Sequence, residues 1–452
     1  MTALVPAAPY IGGRHRTHGA GDRGVAPSLP MHRRVLKHPR AMQYNRLIVL
    51  ALVVNVGWLG YGAAAGWWTS SGTDLRAVAL TAQANLAAAV VFRQQYVLNA
   101  LAWLVTRPPT SWPLRIRWAL GKYYHVGGLH VGTAVAGTLW YLVLVASMVR
   151  DALAGVGQAS HVHLILGATI ATTFTVMVVM ALPRLRAAQH DRFEMTHRFC
   201  GWAALLLVWL NTVLFTGAGS VVPSPSFWLA VVSAALALWP WLLLRRVPIT
   251  VERPSSHAAL VRLHGAAVPA VGTTRPISRR PVMGWHHFAN VPAAAGDAGY
   301  RMLVSRAGDW TSDFIDSPPE HVWVRGIPAV GVANVRKLFT KVVIVATGSG
   351  VGPVLGHLLD DSVPARLVWV TRNPRDTYGD AFVDEILAAQ PDATIWDTGT
   401  LGTPDVPALA YAAYLDSGAE AVICVSNRAV TWRVVHGLER CGVPAFGPIW
   451  DS

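Results

Sequence analysis

Six stretches of mostly apolar residues, at 46–68, 76–105, 119–149, 159–182, 197–217 and 226–244, occupy the first half of this chain. A bilayer core takes roughly 20 apolar residues per helix, so the stretches predict a bundle of six transmembrane helices over 46–246. The whole chain is 53% hydrophobic and only 14% charged, too apolar for an ordinary soluble protein. Arg14, Arg16, Arg33, Arg34 and Lys37 precede the first stretch. Arg107, Arg115 and Arg117 follow the second, Arg184, Arg186 and Arg192 the fourth, and Arg245 and Arg246 the sixth. The loops at 69–75, 150–158 and 218–225 carry no such cluster, which under the positive-inside rule predicts a multi-pass cell-membrane protein with both termini cytoplasmic. The net charge of +14 is then a topology signal, and no nucleic-acid partner is expected. Residues 1–45, rich in Arg, His, Pro and Gly, read as a disordered basic arm without a cleavable signal peptide. Cys200, Cys424 and Cys441 share no metal-binding spacing, so reduced thiols and no zinc are expected.

After Pro248 no membrane-length apolar run recurs. Short β-type runs at 258–263, 300–305 and 321–325, broken by Gly and Pro, predict a small antiparallel barrel over 247–338. Over 339–452, apolar strands at 342–346, 366–370, 394–396 and 421–425 alternate with helical stretches, the pattern of a doubly wound parallel sheet. One loop stands out there: Thr347-Gly348-Ser349-Gly350-Val351-Gly352-Pro353 follows a strand and opens a helix. Glycines let a backbone approach a pyrophosphate, and the helix start offers free N–H groups and a positive dipole end. A plain Gly-rich strand-to-helix turn is the alternative reading.

With these motifs the second half resembles the ferredoxin-reductase type of flavin and nicotinamide domain. The phosphate loop of that type is matched by Gly348, Gly350 and Pro353. The whole chain resembles membrane flavin reductases of the ferric reductase and NADPH oxidase superfamily and, within it, the TmpA group of integral membrane proteins. The segments that carry this are 286–292, 305–311, 346–353, 371–379 and 445–452.

The resemblance implies site residues. His286 and Phe288 fall where the family's flavin strand borders the isoalloxazine, while Ala289 stands where a hydroxyl residue usually bonds it. Trp310 and Thr311 fall in a segment that supports the flavin. Arg372, beside Asn373, takes the place of a basic residue facing an NADP 2′-phosphate, which favours NADPH over NADH. Cys424 takes the place of a cysteine near the nicotinamide, although Val425-Ser426 departs from the family's Gly-Pro. Phe446 and Trp450 fall near a terminal aromatic residue that covers the flavin. Each of these positions also has a plain packing or solvated-loop reading.

The superfamily passes flavin electrons to haem held between histidines of two helices. His125, His130 and His197 are the candidate iron ligands for one haem b. His125 and His130 lie about 140° apart on a helix, so both cannot face one partner. Arg93, inside the second stretch, is a functional candidate because an intramembrane charge is costly. The reading that follows is a membrane-bound NAD(P)H-dependent flavin oxidoreductase with FAD and NADPH or NADH, passing electrons toward a small-molecule or quinone acceptor. The rival is a non-catalytic membrane sensor that retains nucleotide binding.

Overall fold

The computed structural model describes residues 38–156, 159–216, 220–265, 268–293, 299–360 and 362–448. Trp450 and nearly all of the expected basic arm lie outside them. The chain forms two compact units: Met42–Val97 with His125–Pro240, and Leu98–Tyr124 with Trp241–Trp450.

The first unit is helical: α1 (Gln43–Ala64), α2 (Leu75–Val91), then, beyond two elements of the other unit, α5 (Gly127–Leu153), α6 (His161–Met180), α7 (His190–Thr216) and most of α8 (Pro225–Leu242). Their apolar residues point outward as well as inward: Val53, Val54 and Val56 of α1 are more than half exposed, as are Ile165 of α6 and Leu206 of α7. Small residues set the close contacts. A Cβ on Gly128 of α5 would sit 2.2 Å from the Tyr44 carbonyl oxygen of α1, and one on Gly132 would sit 2.7 Å from the Ala51 Cβ. Glycines four apart on one helix face let two helix backbones meet. Among the described residues five helices are long and apolar enough to cross a membrane, or six if one bent pair counts as a single span.

That bent pair corrects the second predicted span. It breaks at Phe92–Gln94 into α2 and α3 (Gln95–Val105), which meet at 66°. Arg93 therefore sits at a helix end, where the Arg93 and Gln94 N–H groups bond Val90 and Val91 three residues back. From Leu98 onward α3 belongs to the second unit. There the Asn99 amide donates to the Pro328 carbonyl at 2.8 Å and accepts from the Val330 N–H at 2.9 Å. The third stretch is also interrupted. It begins at the end of a helix, α4 (Leu114–Leu120), that lies mostly before it, passes through a 3₁₀ turn at Tyr123–Val126 and continues in α5.

In the second unit an antiparallel sheet holds β1 (Arg245–Glu252), β2 (Ala258–Leu263), β3 (Thr273–Ser278), β4 (His286–Ala289), β5 (Val291–Pro292), β6 (Tyr300–Ser305), β7 (His321–Val324) and β8 (Ala329–Val330). Its order is β8-β3-β7-β1-β2-β6-β5, and β4 pairs with β3. Because β4 and β5 are separated only by Asn290, this one stretch pairs with β3 by its first half and β6 by its second, closing the sheet into a barrel. Alternation along β2 and β6 buries Val261, Leu263, Met302 and Val304 inside, with α9 (Asp309–Asp316) packing Phe314 and Ile315 against them.

The following lobe is a five-stranded parallel sheet of β9 (Val342–Thr347), β10 (Ala365–Thr371), β11 (Thr394–Asp397), β12 (Ala421–Val425) and β13 (Ala445–Phe446). The order is β11-β10-β9-β12-β13. Helices α10 (Val351–Leu358), α11 (Asp380–Ala389), α12 (Val406–Ser417) and α13 (Arg428–Arg440) connect the strands. The strands are apolar on both faces, as a sheet buried on both sides requires. Val342, Ile344 and Ile423 join one core with Leu303 of the barrel and Leu355 of α10, while Val343, Val345 and Cys424 join another with Ala410 and Val434 of α12 and α13.

Candidate functional site

The chain leaves β9 and crosses to β10 on one side, and returns to β12 on the other, so the strand order reverses beside β9. In open α/β sheets ligands bind outside the carboxyl ends of the strands at such a switch point. The Gly348–Pro353 loop lies there. Its glycines answer different demands. Gly348 has φ +50°, and its carbonyl accepts the Trp369 indole N–H at 2.9 Å. Gly350 touches the end of β12, where a Cβ would lie 2.2 Å from the Val425 carbonyl oxygen. Gly352 faces the barrel, its missing Cβ 3.0 Å from the Leu303 Cβ. Pro353 occupies the third position of α10, where a missing N–H costs no helical bond. At the same edge the hydroxyls of Thr347 and Ser426 meet, tying β9 to β12.

One strand over, Arg372 is exposed just past β10. Asn373 is the only described non-glycine residue with positive φ, +43°, and its N–H donates to the Asp397 carboxylate at 2.9 Å. Asp397 also receives the Gly399 N–H, which ties the ends of β10 and β11 together.

On the barrel, His286, Phe288 and Trp310 come together. The His286 and Trp310 rings lie 4.2 Å apart, Phe288 stacks on Trp310 at 6.0 Å, and Trp310 stacks on Phe314 at 5.1 Å. The slab runs into the barrel core, so packing accounts for much of it. Thr311 at the start of α9 is occupied locally: its hydroxyl accepts the Ala307 N–H and donates to the Gly308 carbonyl. Ala289 pairs with Thr274, a residue that carries the hydroxyl the strand itself lacks. Arg275 was not apparent from sequence. It stands directly across from Phe288 in the β3–β4 ladder, so both side chains leave one face, and its Nε is buried without a partner. The only signal for it was an arginine inside a short strand. Ser426 had registered only as a departure from a motif.

Cys424 is corrected. It is fully buried on the α12–α13 face of β12, opposite the face that meets the barrel, and burial pushes its thiol up to about 12. A neutral thiol in an apolar core is a packing residue.

In the helical unit His125 and His130 separate. His125 lies in the 3₁₀ turn, buried, with Nδ1 accepting the Tyr44 N–H at 3.1 Å, and so is committed to holding α1. The His130 and His197 rings lie 6.4 Å apart between α5 and α7. The His130 Nδ1 is 2.9 Å from the Ala89 carbonyl, which leaves Nε2 as its outward atom. Arg93 is near enough for its charge to act on both rings. Among the described residues no group of three or more His, Cys, Asp or Glu could hold a metal ion.

Comparison with known proteins corrects the family expectation. The family model for the C-terminal domain of adenylate-forming reductase 03009 matches residues 332–452. Adenylate-forming reductase 03009 of Coprinopsis cinerea is 38% identical over 435 residues, covering 93% of this chain. Adenylate-forming reductase 06235 of the same fungus is 36% identical over 437 residues, again covering 93% of this chain. The chain spans 41% of the length of each. These adenylate-forming reductases, and not the TmpA group or its superfamily, are what the chain is similar to. Phosphate loops recur across families because their geometry answers the phosphate, so the loop alone does not choose among them. A ferredoxin NADP+ reductase from Neisseria gonorrhoeae aligns with 46% of this chain and 98% of its own at 13% identity, TM-score 0.38. A flavohemoglobin from Malassezia yamatoensis aligns with 85% of this chain and 99% of its own at 12% identity, TM-score 0.38. At these scores neither likeness bears on the reading below.

Proposed function

We propose that this chain is an NAD(P)H-dependent flavin oxidoreductase whose nucleotide lobe and barrel serve a helical unit set in a membrane. The observation that carries the reading is the Gly348–Pro353 loop at the switch point of a parallel sheet, with a barrel packed against the helix it opens. The residues present fit a dinucleotide. Backbone around Gly348 and Gly350 approaches without side chains, the α10 start presents its dipole, and the exposed Arg372 guanidinium suits a 2′-phosphate, favouring NADPH. FAD is assigned to the barrel beside β4, where Phe288, Trp310 and Arg275 would border it and Ala289 leaves room. When both are bound, the nicotinamide supplies a hydride that the flavin accepts and can release as single electrons. The chain's part is to hold the two groups in register and to keep water from between them. Cys424 takes no part.

The relatives' printed name supports a reductive role for the shared stretch. The adenylate-forming part of that name is not carried over, because each relative is more than twice as long. Outward apolar side chains on the helices and basic clusters beside alternate stretches support a multi-pass cell-membrane protein with both termini cytoplasmic. His130 and His197 would hold one haem b. A metal–imidazole bond is ~2 Å, so rings 6.4 Å apart admit one iron between them, and a ring fixed through Nδ1 by a carbonyl is the usual support of an Nε2 ligand. The acceptor is proposed as a small molecule or a quinone.

The test is cofactor content and turnover of the full-length protein in detergent. Bound FAD near one equivalent, and ferricyanide reduction at least tenfold faster with NADPH than with NADH and slowed in Arg372→Ala, are expected. A Soret band lost in both His130→Ala and His197→Ala would support the haem. No flavin after reconstitution, with no nucleotide-dependent reduction, would overturn the reading.

A further inference from the structure

Beyond the bend in the second stretch, α3 turns one face outward. Tyr96, Ala100, Trp103, Leu104 and, just past the helix end, Arg107 are all exposed. At 100° per residue they fall on a single side of the helix. Trp103 and Leu104 are 57% and 61% exposed, and the Arg107 guanidinium lies 3.8 Å over the Trp103 ring. The rest of the helix is engaged with its own unit: Ala102, on the far side, is buried, and Asn99, at the edge of the stripe, holds Pro328 and Val330 through its amide.

A helix with one packed side, and with Tyr, Trp and Leu on the other beside an arginine, has the composition of a helix that lies in a bilayer interface. The geometry agrees. With 17 residues, α2 rises about 26 Å and so nearly crosses a hydrocarbon core of roughly 30 Å without help from α3. Because α3 leaves it at 66°, α3 runs closer to the plane of such a membrane than to its normal. At the start of α3 the Tyr96 hydroxyl accepts the Trp239 indole N–H at 2.7 Å. Trp239 stands three residues before the end of α8, a candidate span that finishes on the same side as α2. Paired Tyr and Trp rings at the ends of two spans mark the headgroup level.

We propose that α3 is an interfacial helix docked on phospholipid, with Trp103 and Leu104 set among the acyl chains just below the headgroups and Arg107 against lipid phosphate. Through Asn99 it would then hold the β8 end of the barrel at the membrane surface. The inference rests on the membrane reading above and is independent of the nucleotide site.

The experiment places an NBD fluorophore on Leu104→Cys in the full-length protein, reconstituted in phosphatidylcholine vesicles. A Cys200→Ser, Cys441→Ser background leaves buried Cys424 as the only other thiol. Quenching is read from phospholipids that carry a nitroxide either near the headgroup or near the chain end. Tags on Val54→Cys, mid-way along α1, and on Leu415→Cys, in α12, serve as references, since both residues are exposed. At Leu104 the shallow nitroxide should quench several-fold more than the deep one, at Val54 the order should reverse, and at Leu415 neither should quench. Should Leu104→Cys fail to fold, Trp103→Cys reads the same face. Quenching at Val54 without quenching at Leu104 would overturn the proposal and leave the membrane reading standing, and disulfide-linked dimers of Leu104→Cys would then give the face to a second copy of the chain. Stronger deep than shallow quenching at Leu104 would also overturn it, by making α3 part of the span. Quenching at neither site would end the membrane reading and the proposal together.

Discussion

Gly348 and Gly350 stand two residues apart and are glycine for different reasons, which their alanine variants should separate. At Gly348 the nearest atom to a new Cβ is the Tyr378 hydroxyl at 3.8 Å, so only the positive φ resists, at about 1–2 kcal/mol. At Gly350 the Cβ meets the β12 backbone at 2.2 Å, so the loop must move. Gly350→Ala should therefore lose nucleotide binding by more than tenfold and Gly348→Ala by only a few-fold, read by NADPH titration. Cys424→Ala should leave NADPH oxidation within about three-fold of wild type while lowering stability by about 1 kcal/mol, the scale of a small buried deletion. A fall of a hundredfold or more would restore a role in hydride transfer.

His357 on α10 carries a different signal. It is 2% exposed, packed against Gly272, with neither ring nitrogen hydrogen-bonded. Burial first, then the Arg336 charge, pull its pKa down to about 3, with Lys337 adding to the fall and Asp360 opposing it. The folded state thus holds a neutral ring that the unfolded chain protonates below about 6.5. Stability should be full above that pH and fall by about 1.4 kcal/mol per unit as the pH drops from there toward 3. Thermal midpoints at pH 7, 6 and 5 should show this slope in the wild type and a flatter one in His357→Leu. None of the three behaviours was apparent in the residue letters, because each depends on what lies across from the residue: a carbonyl, a helix face or a second core.

At the scale of elements, the strands of the second half were legible. Period and apolarity placed β2, β6, β9, β10, β11 and β12 within a residue or two, since each is bounded by Gly, Pro or charge. The helices were legible as apolar length only. Beyond the break in the second stretch, the Asn99 amide makes hydrogen bonds at Pro328 and Val330, more than two hundred residues away, which no local pattern signals. The apolar period also concealed α4. Its Arg115 and Arg117 read as a basic cluster after the second stretch, yet Arg117 makes paired bonds of 2.7 and 2.9 Å to Glu420, and Lys122 lies 2.6 Å from Glu439. The Arg117 bonds hold the Glu420 carboxyl down at about 2. Arg117→Ala leaves this carboxylate without its charged partner and should destabilise the second unit by about 2 kcal/mol. Unfolding followed by near-UV dichroism, with Glu420→Gln as the complementary variant, would show it. No change in either variant would mean that α4 docks through its apolar residues alone.

At the scale of the molecule, two units are built by different rules. One packs helices through glycines and small residues and turns valines and leucines outward. The other closes a barrel and stacks a parallel sheet against it. The family was the part least available to motif reading: a phosphate loop and a C-terminal signature suggested one superfamily, and alignment over 93% of the chain led to another name. The proposed nucleotide site rests on the switch point of the sheet rather than on a family. It is tested most directly by adding NADPH anaerobically to the full-length protein reconstituted with FAD and recording the flavin absorbance, in wild type and Gly350→Ala. The account predicts rapid bleaching in the wild type and bleaching slowed at least tenfold in the variant. Flavin that is bound yet unchanged by either NADPH or NADH would contradict it.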